Sequence, residues 1–244
     1  MAVLGLLGAA AAAAAAPQRF SSGAARVALI ELYTSEGCSS CPPADQWLAS
    51  QADDPSLWKE FVPVEFHVNY WDSLGWRDRL STRAFTAREY AYSSAWGSNS
   101  VYTPCFVRNG AEWRPLLGGS QPPGGPAGTL SVELEGGACR VLFTPVSGSG
   151  SEAGAYDVHV ALLGGGLSSK VTAGENDGRT LTHEFVVIGM ADGALSPAAP
   201  GAALRAEIPL PQPAVPDAKR RALAAWVTRR GALAPLQATG GWLH

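Results

Sequence analysis

Cysteine is scarce in this chain: four in 244 residues, at positions 38, 41, 105 and 139. That excludes a disulfide-dense scaffold and leaves one pair, Cys38 and Cys41, close enough in sequence to act together. Charge is thin as well, at 16% of residues, and a net charge of −3 from 18 basic and 21 acidic side chains offers no basic surplus to hold a polyanion. The runs Lys219-Arg220-Arg221 and Arg229-Arg230 are short and read as solvated ends, so no nucleic-acid partner is expected. The one long apolar run, residues 2–16, falls short of the about 20 residues that a membrane helix needs, so no stable membrane span is expected. The histidines (His67, His159, His183, His244) are scattered, with no H-x-x-x-H and no second C-x-x-C. No cofactor and no metal ligand set is therefore read from the sequence, and no Ser-His-Asp order, Walker loop or dinucleotide glycine motif stands out as a rival chemistry.

What is present centres on Cys38-Ser39-Ser40-Cys41. Val27 to Thr34 before it is apolar and reads as a buried strand, and Ala44 to Ala49 after it reads as the opening of a helix. Pro42 and Pro43 suit a first turn, where the backbone N–H has no intrahelical partner to lose. A C-x-x-C at a strand–helix junction is a setting for dithiol redox chemistry. The partial positive charge of a helix N-terminus can lower a cysteine pKa from about 8.5 into the ~3.5–7.5 range. Cys38 then reads as the exposed nucleophile and Cys41 as the resolving thiol. A zinc knuckle and a non-catalytic structural disulfide are the alternatives.

Val101 to Gly110 carries a second signal: Thr103-Pro104, a short apolar strand, then an Asn109-Gly110 turn. Proline is the residue for which a cis bond is cheap, and it is tolerated at a strand start. Asn-Gly supplies the positive φ of a tight hairpin. Thioredoxin-like proteins keep a cis-proline facing the C-x-x-C in this order; an ordinary trans proline is the alternative.

The run Ile30 to Asp45 resembles the hallmark of the DUF1223 family. Further matches are His67-Val68-Asn69-Tyr70-Trp71-Asp72, Leu74-Gly75-Trp76, Ala84-Phe85-Thr86, Val101 to Pro104, and Gly174-Glu175-Asn176 with Gly178 to His183. The resemblance spans roughly residues 27–240 and implies a thioredoxin-like protein, often secreted, whose activity is not established. The family pattern has Gln after Thr-Pro where this chain has Cys105. A strand period of two places Thr103 and Cys105 on one face, so Cys105 reads either as a third redox partner or ligand, or as a small buried residue. Glu31 is the nearest strand acid and reads either as a proton relay to Cys41 or as a hydrogen-bonded strand residue.

The expected fold class is an α/β thioredoxin-like domain followed by an all-β antiparallel sandwich-like domain. Residues 1–25 read as a signal or targeting segment, 26–117 as the thioredoxin-like domain, 118–128 as a Gly/Pro linker and 129–244 as the sandwich. In the first unit, Val62 to Val68 reads as a second strand and Ser81 to Ala95 as a helix. In the second, strands are expected over Leu130–Leu134, Arg140–Pro145, Tyr156–Leu163, Leu181–Ile188 and Leu204–Ile208, separated by glycine-rich turns, and over Leu223–Thr228, where the alanines also allow a helix and the resemblance favours strand. His67 reads as a satisfied core histidine, and His183 as half-buried and hydrogen-bonded. The loop Gly174 to Arg179 reads as a hairpin, its match to the family implying either turn geometry or docking against the first domain. Cys139 reads as a free thiol, with a bridge to Cys105 conceivable.

Sites in open α/β sheets gather at the carboxyl ends of strands. Trp71, Asp72 and Trp76 are therefore expected to wall the dithiol and, with Thr103, to meet substrate; capping of the core and of a turn is the alternative. The expected function is thiol–disulfide exchange by Cys38 and Cys41, with Pro104 shaping the groove and protein thiols or disulfides as partners. The alternatives are a soft-metal module binding copper, with Cys105 or His67 as third ligand, and an exported protein with a purely structural disulfide. The expected location is secreted or periplasmic, with organelle targeting as the alternative.

Overall fold

The computed structural model describes residues 16–115, 124–147, 155–198 and 203–244. The expected targeting stretch therefore lies mostly outside the described residues, as does linker segment 118–123.

Two largely apolar segments, interrupted by Glu31 in the first and by Glu65 and His67 in the second, become fully buried strands, β2 (Ala28–Thr34) and β3 (Phe61–His67), paired in parallel. Burial on both faces is why they lack the alternation of a half-solvated strand. Between them runs helix α1 (Pro42–Ser50), with prolines in its first turn and Cys41 at its N-cap. Helix α2 (Arg83–Ala95) starts at Thr82, whose hydroxyl accepts from the Phe85 N–H at 3.1 Å. The hairpin β4 (Cys105–Arg108) and β5 (Ala111–Trp113) follows, with Asn109 and Gly110 both at positive φ.

The second half adds β6 (Thr129–Glu135), β7 (Ala138–Thr144), β8 (Tyr156–Gly165), β9 (Leu167–Lys170), β10 (Thr180–His183), β11 (Val186–Ala194), β12 (Ser196–Pro197), β13 (Leu204–Pro209), β14 (Arg220–Arg229) and β15 (Pro235–Trp242). Before β2 comes β1 (Gln18–Ser21), inside the stretch expected to be a targeting segment, and it pairs with β6. The expected strand over Leu181–Ile188 is divided in two by Phe185 at φ 59°, a left-handed conformation that no strand continues through.

These strands do not assemble as expected. The chain is mostly β, with two α-helices among the described residues, rather than an α/β thioredoxin-like domain followed by a separate sandwich. One mixed sheet of eight strands runs β15-β14-β8-β11-β3-β2-β4-β5, drawing four strands from each half. The junction is β11 lying parallel to β3 through Val186 and Glu65, with the Glu65 N–H donating to the Phe185 carbonyl at 2.9 Å. The physical reason is the edge of β3, whose buried backbone groups need partners that the first half does not supply. A five-stranded antiparallel sheet, β1-β6-β7-β13-β12, packs against the far end, and β9 and β10 form a separate pair.

One core cluster surrounds β2, β3, α1 and α2 and includes Cys105; a second lies between β8, β14 and the five-stranded sheet and includes Cys139. The two free thiols thus sit in different cores, and no bridge joins them. Buried Gln237 on β15 fastens distant segments: its amide donates to the carbonyls of Gly23, Ala25 and Gly128, and its carbonyl accepts from the N–H of Val27 and Ala238. No helix among the described residues is long and apolar enough to cross a membrane.

Candidate functional site

Cys38 and Cys41 form a disulfide in the turn between β2 and α1. The turn is held by its own backbone: Cys38 N–H donates to the Ser35 carbonyl and Cys41 N–H to the Cys38 carbonyl. Gly37 is required there, since a Cβ would fall 2.9 Å from the Trp71 Cβ. Cys41 opens the helix, so a thiolate at this position would face its positive end. Opposite, the Thr103–Pro104 bond is cis, and the Thr103 carbonyl lies 3.8 Å from Cys38 Sγ. Trp71 Nε1 donates to Thr103 Oγ1 at 2.8 Å, which fixes the indole against this loop.

Both cysteines are 0% exposed, which corrects the expectation of an exposed Cys38. The cover comes from the second half of the chain. Asn176, itself fully buried, donates from its amide to the carbonyls of Glu36 and Cys38, each at 2.9 Å. The neighbouring Glu175 carboxylate accepts from Ser39 N–H at 2.9 Å and Ser39 Oγ at 2.7 Å, and these two bonds hold its pKa below the usual carboxylate range. Ser39 and Ser40 remain at the surface above the disulfide.

Beneath the turn lies a buried ionisable cluster. Glu65 and His67, two apart on β3, share a face, and His183 reaches them from the end of β10. His67 is bracketed by carboxylates: Nδ1 is 2.7 Å from Asp78 Oδ2 and Nε2 is 2.8 Å from Glu65 Oε1. Burial works against its charge, but Asp78 and Glu65 raise its pKa well above the ordinary value. His183 Nδ1 stands 3.0 Å from Glu65 Oε1 and its Nε2 3.5 Å from Glu36 Oε1, yet neither nitrogen has an aligned hydrogen-bond partner. Burial lowers its pKa, and Glu36 and Glu65 outweigh burial to hold it up at about 9. Asp45, pushed up to about 7 by burial and then by Glu65, accepts from Thr34 Oγ1 at 2.6 Å.

The sequence-predicted residues divide accordingly. Cys38, Cys41, Thr103 and Trp71 come together around the disulfide, with Pro104 on the same loop. Trp76 is turned to the cluster instead, donating from Nε1 to Glu36 Oε2 at 2.8 Å. Asp72 accepts from the Asp78 N–H at 3.2 Å and so ties the turn that carries Asp78, as a turn cap would. Glu31 serves no cysteine: it accepts from Tyr33, Arg88 and Tyr92 at 2.8, 2.8 and 2.5 Å. Cys105 is a buried thiol whose pKa burial pushes up to about 12, so it is no thiolate near neutral pH. His67 has both ring nitrogens facing carboxylates and is not turned to sulfur as a copper ligand would be. His183 is fully buried rather than half-buried.

Residues missed by the sequence reading are Glu36, Asp45, Glu65 and Asp78, while Glu175 and Asn176 realise the docking alternative for their loop. Glu65-x-His67 within an apolar strand was the available signal for one part, since two polar residues of one strand face are improbable in a core without partners. A concavity of about 1130 Å³ on the five-stranded sheet includes none of the predicted site residues.

Among solved structures, the chain is similar to protein AGR_C_4864 from Agrobacterium tumefaciens, at 24% identity over 88% of this chain and 94% of that one, with a TM-score of 0.61. It is also similar to HBP35 of Porphyromonas gingivalis, at 15% identity over 91% and 76% of the two chains and the same TM-score. Both likenesses are of fold. No curated protein matches. The family model for DUF1223, a protein of unknown function, matches residues 29–228, and with most of its length covered the chain belongs to that family.

Proposed function

We propose that the Cys38–Cys41 disulfide exchanges with thiols of a protein partner. The observation that carries this reading is the disulfide's position, at the N-terminus of α1 and across from the Thr103 carbonyl. A partner thiolate attacks Cys38 Sγ, the Cys38–Cys41 bond breaks, and Cys41 leaves as a thiolate favoured by the helix terminus. A second partner thiolate then attacks the partner's sulfur in the mixed disulfide and releases Cys38. The partner gains a disulfide, and two electrons and two protons pass to the cysteine pair; the reverse sequence reduces a partner disulfide. Thr103, with Trp71 holding its side chain, would border the incoming segment, and an exported location would keep the bond oxidised.

A second reading has its own support: both cysteines are fully buried beneath Asn176 and Glu175, as a purely structural disulfide would be. Redox titration with glutathione and mass-spectrometric thiol counting separates the two. Exchange predicts a reversible two-electron transition within about −270 to −120 mV, lost in Cys38→Ser, and faster reduction in Asn176→Ala as its cover loosens. A bond that resists glutathione in both the native protein and Asn176→Ala would overturn exchange and leave the structural role.

A further inference from the structure

The Glu65–His67–His183 cluster has a geometry that hydrogen bonding alone leaves unfinished. One ligand-type atom from each residue lies within 4.8 Å of the other two. All three side chains are buried, yet both nitrogens of His183 and Oε2 of Glu65 lack hydrogen-bond partners. Buried polar groups are nearly always paired, and each exception asks for a reason.

The surroundings supply what imidazole ligands use. The far nitrogen of His67 faces Asp78 Oδ2 at 2.7 Å, and the far nitrogen of His183 faces Glu36 Oε1 at 3.5 Å. Asp78 is the kind of outer carboxylate that orients a ligating ring and raises its basicity, while Glu36 stands unaligned as folded and within reach of a small turn of the His183 ring. Glu36 is itself held by Trp76, and Asp78 accepts from the N–H groups of Glu36 and Leu80, so the outer layer is fixed.

We infer that Glu65, His67 and His183 form a site for a divalent transition-metal ion of the zinc type, bound through two imidazole nitrogens and one carboxylate. Imidazole with carboxylate suits zinc, whose bonds to nitrogen and oxygen run about 2.0–2.2 Å. A dication at the centre brings the same two positive charges as protons on both rings. Unlike those protons, it can meet lone pairs converging from directions that no N–H···O line connects. Three protein ligands leave a fourth coordination position, and full burial closes it to bulk solvent, which suits a fastening role rather than turnover. It would fasten β10 to β3 and so hold the second half of the chain beneath the disulfide turn.

The test uses the full chain with its disulfide oxidised. The protein is unfolded with guanidinium and EDTA, then refolded with and without one equivalent of Zn2+, and metal content and thermal midpoint are read. About one zinc per chain and a higher midpoint with zinc are expected, both retained in the Cys38→Ser/Cys41→Ser double variant and both lost in His183→Gln. Co2+ in place of zinc should give visible absorption bands shaped by nitrogen and oxygen ligands. Equal midpoints and no retained zinc in the native sequence would overturn the site whatever the variants do. Zinc retained by His183→Gln, or lost with the two cysteines, would overturn it equally by placing the metal elsewhere. None of these outcomes bears on disulfide exchange, which is read from the redox titration alone.

Discussion

Two buried ionic clusters sit on neighbouring strands of the same sheet and are built on opposite terms. Around Glu31 on β2, one carboxylate meets one guanidinium: Arg88 Nε donates to it at 2.8 Å, and the hydroxyls of Tyr33 and Tyr92 supply the remaining bonds. Arg88 is further boxed by the rings of Phe66, Tyr92 and Trp226 at 5.4 to 5.6 Å. Around Glu65 on β3, four buried carboxylates (Glu36, Asp45, Glu65, Asp78) face two imidazoles, and polar atoms are left without partners. The first cluster is complete as folded and explains itself as a fastening of α2 to the sheet. The second keeps an acid excess that packing alone does not require, and such an excess is what a binding or redox centre retains.

The sharpest way to break the comparison is to remove the only cation of the balanced cluster. Arg88→Met leaves Glu31 buried and unpaired, and a loss of about 3–5 kcal/mol in chemical denaturation is expected; a loss below about 1 kcal/mol would mean the cluster is not balanced by Arg88. Next comes Glu89, a buried acid that belongs to neither cluster, whose two oxygens have no hydrogen-bond partner and whose pKa burial pushes up to about 7. Between the ordinary carboxylate value and about 7 the folded state keeps a proton that the unfolded chain has released. Its stabilising share is thus full below the ordinary value and is lost as pH rises through the window, by an amount on the order of 3 kcal/mol. Denaturation at stepped pH should show that fall in the native protein and a shallower one in Glu89→Gln; parallel curves would remove Glu89 as the cause. The smallest effect is expected in the acid-rich cluster itself. Asp45→Asn keeps an oxygen for Thr34 while removing one negative charge, so metal-free stability should change by less than about 1 kcal/mol. A loss comparable to that of Arg88→Met would show the two clusters to be alike.

Local chemistry was legible in the chain. The apolar runs of β2 and β3, the prolines opening α1, the Thr103–Pro104 signal and the Asn109–Gly110 turn all act over a few residues, and each stands where the sequence places it. What was not legible depends on partners far away in sequence. Nothing in Val186 announces that it will pair with Glu65 and merge two expected domains into one sheet, because an unpaired strand edge is a property of the assembled structure. The cover over the disulfide was legible in part: Gly174-Glu175-Asn176 reads as a hairpin turn or as docking against the first half, and the contacts of its side chains with Ser39 and Cys38 decide for docking. His183 alternates correctly with Leu181, but only the arrival of β3 beside it turns a half-buried position into a closed one.

Gln237 carries a consequence for the order of events in time. Its one amide serves Gly23, Ala25, Val27 and Gly128, groups that emerge from the ribosome long before it does; Val27 precedes it by 210 positions. Until β15 arrives, those early backbone groups must remain in water or find temporary company. The chain therefore cannot mature from one end to the other like a row of beads. Residues 23–27 are thus made early and locked late, and synthesis that halts before position 237 leaves those backbone groups open rather than a deficit confined to the residues not yet made.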